Sequence, residues 1–168
     1  MHDIFLGQCV RKLRQYHGRI NECLDRLSEE QIWWRGADAG NAVGNLMLHL
    51  AGNLRQWVLH GVAGMPDTRI RDLEFDTREG YSAAQLRDRL AEVVEQAIAA
   101  IEPLSEERLL EKISVQNYDV TVLEAVSHVT QHFGEHTGQI VYATKLLTGQ
   151  GFDWYAHLRR REHEQTTP

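Results

Sequence analysis

No apolar run in the 168-residue chain approaches the roughly 20 residues that a bilayer-spanning helix needs. A transmembrane span is therefore not expected. The opening residues Met1-His2-Asp3 lack a basic stretch followed by an apolar one, so no signal peptide is expected either. Concentrated positive charge is also missing. Formal net charge is −6, and Glu162 and Glu164 follow the one dense basic run, Arg159-Arg160-Arg161, at once. A duplex-binding protein needs a broad basic face to displace counterions. Nucleic acid is excluded as an expected partner. Cysteine is scarce: Cys9 and Cys23 both fall in the first predicted helix. Their separation along a helix is about 21 Å, far beyond disulfide reach. Free thiols point to a reducing compartment, and the expected location is cytoplasmic.

What the chain does have is 42% hydrophobic and 25% charged residues, the balance of a globular protein, and a length that fits one domain of residues 1–168. The tail from about 152 to 168 is expected to be partly loose. Nine histidines stand against four phenylalanines, so their placement matters.

Hydrophobic periodicity predicts four long helices. Segment one, about 3–27, carries Leu6, Cys9, Val10, Leu13, Tyr16, Ile20, Cys23, Leu24 and Leu27 at helical spacing. Ser28 with Gln31 has capping-box spacing and predicts a further short turn. The stretch with Trp33, Trp34 and Gly36 reads as a loop. Asn41 is the expected N-cap of segment two, about 42–60, with Val43, Leu46, Met47, Leu50, Leu54, Trp57 and Val58 on one stripe. Residues 65–80, with Pro66, Gly80 and many charges, read as a polar crossover loop. Ser82 with Gln85 opens segment three, which Pro103 stops. Thr121 with Glu124 opens segment four, which runs to about Leu147 and is closed by Gly149 and Gly151. Leu27-Ser28-Glu29-Glu30 after segment one and Leu104-Ser105-Glu106-Glu107 after segment three form a faint internal echo. Residues 113–119 read as extended or irregular. With no clear strand, the fold class is all-α, a four-helix bundle.

Segment four also carries a histidine band. Glu124, Gln131, Glu135 and Lys145 lie on its solvent side, while His128, His132, His136 and Gln139 lie beside the apolar stripe. His132 and His136 are four apart, so their imidazoles can converge on one ion. A third ligand must come from another helix, and His49, on the shoulder of segment two's stripe, is the best candidate. Three histidines with an open fourth position is how a catalytic zinc is usually held. His128, Gln139 and Asn53 are candidates to hydrogen-bond a ligating imidazole or orient a substrate. Trp57, Tyr118 and Trp154 could wall a pocket, although for aromatics at helical spacing ordinary core packing is the simpler reading. No carboxylate is evident beside the histidines to act as a general base. His132-Phe133-Gly134-Glu135-His136 also matches the H-x-x-E-H protease signature. That reading needs an acidic ligand well downstream, where Glu162 and Glu164 fall in the tail expected to be loose, and it places its base, Glu135, on the solvent face.

The segment Asn41-Ala-Val-Gly-Asn-Leu-Met-Leu-His49-Leu-Ala-Gly-Asn53 resembles the second-helix motif of the DinB/YfiT-like superfamily. His128-x-x-x-His132-x-x-x-His136-Thr-Gly-Gln139-Ile resembles its last-helix motif, and the likeness extends from Trp34 to Trp154. Leu54-Arg55-Gln56-Trp57 looks closest to a branch of unassigned function. The resemblance implies an up-down-down-up four-helix bundle, often a homodimer. It also implies nickel or zinc on three histidines, by position His49, His132 and His136, with His128 an additional histidine that is usually not a ligand. Some members are thiol-dependent transferases or isomerases that use a low-molecular-weight thiol, and others carry a hydrolase label. Three expectations follow: a metal-dependent S-transferase or isomerase, a metal-dependent hydrolase, or a non-enzymatic dimeric binding or stress-response module with a metal site. The small-molecule substrate is left open.

Overall fold

The computed structural model describes residues 1–158. Residues 159–168 of the tail expected to be partly loose, with the basic run from Arg159 and the acids Glu162 and Glu164, lie outside the described residues. Four long helices form the bundle: α1 (His2–Leu24), α3 (Val43–Leu54), α5 (Ala83–Ile101) and α7 (Val122–Thr148). Shorter helices punctuate them: α2 (Glu29–Ile32), α4 (Arg71–Asp76) and α6 (Glu106–Leu110). The capping boxes at Ser28/Gln31, Ser82/Gln85 and Thr121/Glu124 all form. Both halves of the Leu-Ser-Glu-Glu echo start short helices, with Ser28 and Ser105 as N-caps. Gly149 closes α7 in the left-handed conformation, at φ 67°, which glycine adopts without strain.

Three local features differ from the sequence expectation. The N-cap of α3 is Ala42, not Asn41, because Asn45 reaches back to accept a hydrogen bond from the Ala42 N–H at 3.1 Å. The end of segment two widens into a π-helical turn, Arg55–His60, in which the Gly61 N–H donates to the Gln56 carbonyl. Residues 113–119, read as extended or irregular with no clear strand, form most of an antiparallel hairpin, β1 (Lys112–Val115) with β2 (Tyr118–Thr121), paired Lys112 to Thr121 through Val115 to Tyr118. Its two-residue turn places Gln116 and Asn117 at positive φ, as a type I′ hairpin requires. A hairpin of four-residue strands has too weak an alternation to be read from sequence.

Helix directions follow from contacts at the ends. Arg87 on α5 pairs with Asp25 just past α1, and Arg14 on α1 pairs with Glu102 at the far end of α5, so these two run antiparallel. Arg26 donates to the Gly151 carbonyl just past α7, which makes α1 and α7 parallel. Trp33 packs on Gly44 at the start of α3 and donates to the Tyr81 carbonyl just before α5, so α3 and α5 start together. The order is up, down, down, up, with α1 and α3 each packed between α5 and α7. Parallel neighbours cannot be joined by a tight turn. The link from α3 to α5 must travel back along the bundle, and it carries α4 with it.

A single apolar cluster fills the centre, with Leu13, Ile20, Leu54, Leu90, Phe133 and Ile140 fully buried. Each such side chain contributes about 1.5–3 kcal/mol of burial. Cys9 and Cys23 are free and face this core. Phe152, Trp154 and Tyr155 return onto α1, where Arg19 and Arg26 lie over their rings and Trp154 donates to Glu22. Among the described residues no helix is long and apolar enough to cross a membrane.

Candidate metal centre

The antiparallel pairing of α3 with α7 brings His49 opposite His132 and His136. The Nε2 atoms of His49 and His132 lie 3.0 Å apart, and those of His136 and His132 lie 3.2 Å apart. One ligand nitrogen from each of the three falls within 4.8 Å of the others. Metal–nitrogen bonds of about 2.05 Å at tetrahedral angles set ligand nitrogens roughly 3.3 Å apart, so this spacing fits one ion. His49 is buried, while His132 and His136 are half-buried, which leaves one side of the cluster open to solvent.

Hydrogen bonds behind the rings fix which nitrogen faces the centre. His136 Nδ1 lies 2.8 Å from Gln139 Oε1, and His49 Nδ1 lies 2.9 Å from Glu74 Oε2. Both partners are acceptors, so each Nδ1 carries the hydrogen and each Nε2 turns a lone pair inward. His132 Nε2 faces both lone pairs, and its own Nδ1 is buried without a partner. Inward lone pairs that close need a positive charge between them, which a proton on His132 or a divalent ion can supply. A second proton is disfavoured: burial, then the neighbouring His136 and His49, push His132 down to about 3. Burial also lowers His136 and His128.

Glu74 corrects the expectation that no carboxylate lies beside the histidines. It arrives from α4 and is only 8% exposed. Arg69 grips it with two bonds, Nε to Oε1 at 2.7 Å and Nη2 to Oε2 at 2.8 Å. Burial alone would raise the Glu74 pKa, but the hydrogen bonds from Arg69 and His49 outweigh it and hold the carboxyl below its usual range. Arg69 Nη2 also lies 3.1 Å from His49 Nδ1. Both are donors here, and the carboxylate between them accepts from each.

Three further residues make that approach possible. A Cβ on Gly52 would sit 1.9 Å from Glu74 Oε1, so this position on α3 has room only for hydrogen. Asn45 donates from Nδ2 to the carbonyls of Glu74 and Thr77, and Arg35 donates to Asn45 Oδ1 and the Phe75 carbonyl, which locks α4 onto α3. None of Glu74, Arg69 and Gly52 was singled out from sequence. The available signal was Gly52 itself, a glycine in a helix interior, where it costs about 1 kcal/mol relative to alanine and so needs a structural reason.

The other candidates divide. Gln139 contacts a cluster imidazole, as described. His128 makes no hydrogen bond to the three; it stacks on Trp57 with centroids 4.1 Å apart, and its ring lies 5.5 Å from His132. Asn53 is buried on α3 and hydrogen-bonds none of the three imidazoles among the described residues. Trp57 is fixed by a bond to Gln116, with Tyr118 stacked beyond it, so these two flank the open side through His128. Phe75 completes that rim, 4.8 Å from the His49 ring. Trp154 packs on α1 instead. Glu135 is exposed and bonded to Gln131, so the H-x-x-E-H reading has no base facing the cluster.

The chain belongs to the family described as protein of unknown function (DUF1572), which matches residues 1–160. No curated protein matches it. Among solved structures it is similar to a conserved protein of Enterococcus faecalis, with TM-score 0.71 and 21% identity over 86% of this chain and 97% of that one. It is also similar to the DinB-like protein YjoA of Bacillus subtilis, with TM-score 0.65 and 18% identity over 86% and 93% of the two chains. A DinB-like protein of Bacillus cereus gives 0.67 and 15%, over 86% and 95%. The fold is therefore that of the DinB-like bundles.

Proposed function

We propose that this protein is a divalent-metal-dependent enzyme whose ion is held by His49, His132 and His136. The observation that carries the reading is the convergence of three Nε2 atoms, two of them fixed as lone pairs by Glu74 and Gln139. Three imidazoles suit zinc or nickel. A bound ion of this kind lowers the pKa of a coordinated thiol or water and polarises a carbonyl. Glu74 orients His49 and increases its basicity, and Gln139 does the same for His136. Phe75, Trp57 and Tyr118 limit water access from the open side.

Transfer to or from a low-molecular-weight thiol is the reaction class we favour over hydrolysis. Hydrolysis calls for a free general base, and Glu74 is committed to Arg69 and His49 on the far side of the ring. A thiolate needs no such base once its proton is gone. The proposal includes a homodimer, supported by Tyr142 and Leu146, large apolar side chains left exposed one turn apart on α7. It also includes a cytoplasmic location, supported by two free, buried thiols.

The test is metal content of tag-free protein beside a His132→Ala/His136→Ala variant. About one zinc or nickel per chain, lost in the variant, supports the site and justifies assaying thiols with electrophilic substrates. Equal metal in both, or none in either after metal is supplied, removes it, and a helical binding module becomes the better reading.

A further inference from the structure

A cavity of about 370 Å³ opens on a different face of α3, between the crossover and α5. None of the three histidines lines it. Glu74 and Arg69 form the partition: they meet His49 on one side and border the cavity on the other. The volume falls in the range of small-ligand pockets.

Its chemistry is two-part. The interior is apolar, built from Leu48 and Ala51 of α3 and Val93 of α5. Ile70 and Leu73, on the crossover, border it while 63% and 56% exposed, large hydrophobic side chains that have nothing to cover them. The charged lining is unbalanced. Arg69 is neutralised by Glu74. Arg55 and Arg89 form no ion pair among the described residues, and Arg89 rests over the Tyr81 ring. Glu92 offsets one of these two charges, leaving a net positive lining.

We infer that this cavity is a second binding site, for a small amphipathic anion: a carboxylate with a short aliphatic tail. The tail would cover Ile70, Leu73 and the apolar interior. The head group would meet Arg55 and Arg89, whose guanidinium forks suit a carboxylate. This site stands apart from the metal reading and survives if that reading fails.

The probe is octanoate, titrated calorimetrically into the full chain, with octanamide as a neutral isostere. The His132→Ala/His136→Ala background is used so that carboxylate coordination by a metal cannot contribute. The expected result is saturable binding of one octanoate per chain. Octanamide and the Arg55→Gln/Arg89→Gln variant should each bind at least roughly tenfold more weakly, the loss expected from a charged hydrogen bond. Ala51→Phe, which fills the cavity, should abolish binding while the helical circular dichroism is unchanged. No saturable octanoate binding, equal binding of octanamide, or full affinity in the double arginine variant would each overturn the inference. The arginine substitutions remove no core contact, so that arm reads out even if Ala51→Phe does not fold.

Discussion

Glu74 and His49, 25 positions apart in sequence, share a buried hydrogen bond of 2.9 Å between a carboxylate held by Arg69 and the ring nitrogen facing away from the histidine cluster. A carboxylate in that place fixes the ring's tautomer, orients it and strengthens its outward nitrogen as a ligand.

Glu74→Gln tests that relationship. An amide has half the acceptor capacity, leaves Arg69 with an unbalanced buried charge and no longer fixes the ring. Metal affinity should fall about 10- to 100-fold, measured by competition with a chromophoric chelator. Unchanged affinity in a folded variant would show that His49 does not depend on this carboxylate.

Gly52→Ala should separate helix propensity from site geometry. In an ordinary helix interior the change stabilises by about 1 kcal/mol. Here the new Cβ would occupy the space of Glu74 Oε1, so the carboxylate must move. We expect weaker metal binding and no gain in thermal midpoint. A higher midpoint with full affinity would mean that α4 can retreat without consequence.

Acid should destabilise the metal-free protein well before its carboxylates titrate. Burial lowers the folded-state pKa of His17, His128, His132 and His136 below their ordinary 6.5, His132 to about 3. The unfolded chain then takes up protons below pH 6.5 that the folded chain does not. Stability is fully present above about pH 7 and falls as pH drops through 6.5. For His132 alone the loss reaches about 2 kcal/mol by pH 5. Glu74, whose folded pKa is also depressed, adds a loss of the same sign below its ordinary 4.5. Urea midpoints at pH 7.5, 6 and 5, with chelator present, should decline in that order; a flat series contradicts the assignment of buried neutral imidazoles.

Both thiols should be unreactive in the folded state. Burial raises the pKa of Cys9 and of Cys23, with only partial opposition from hydrogen bonding to Thr130 and Thr144. A chromogenic disulfide reagent should label neither until denaturant is added, then two per chain. Rapid labelling of the native protein would place a thiolate at the surface and reopen its candidacy as a metal ligand.

The sequence by itself determined the four long helices, the capping boxes that open α5 and α7 and the histidine face of α7, because each rests on relationships within four residues along one helix. The box at Thr121 and Glu124, the stripe through Val129 and Phe133, and the i, i+4 spacing of His132 and His136 all follow from helical period alone. The family motifs extended that reach to His49. Tertiary structure decided the rest. The polar crossover concealed α4, which lacks a side-chain cap and has too few turns for a periodic signal. The hairpin that carries Gln116 was equally short. Above all, the approach of Glu74 and Arg69 to His49 depends on the path the chain takes between two parallel helices, α3 and α5. That path is set by packing and by Asn45 and Arg35 gripping the carbonyls of α4, a three-dimensional agreement between distant residues that no local pattern encodes.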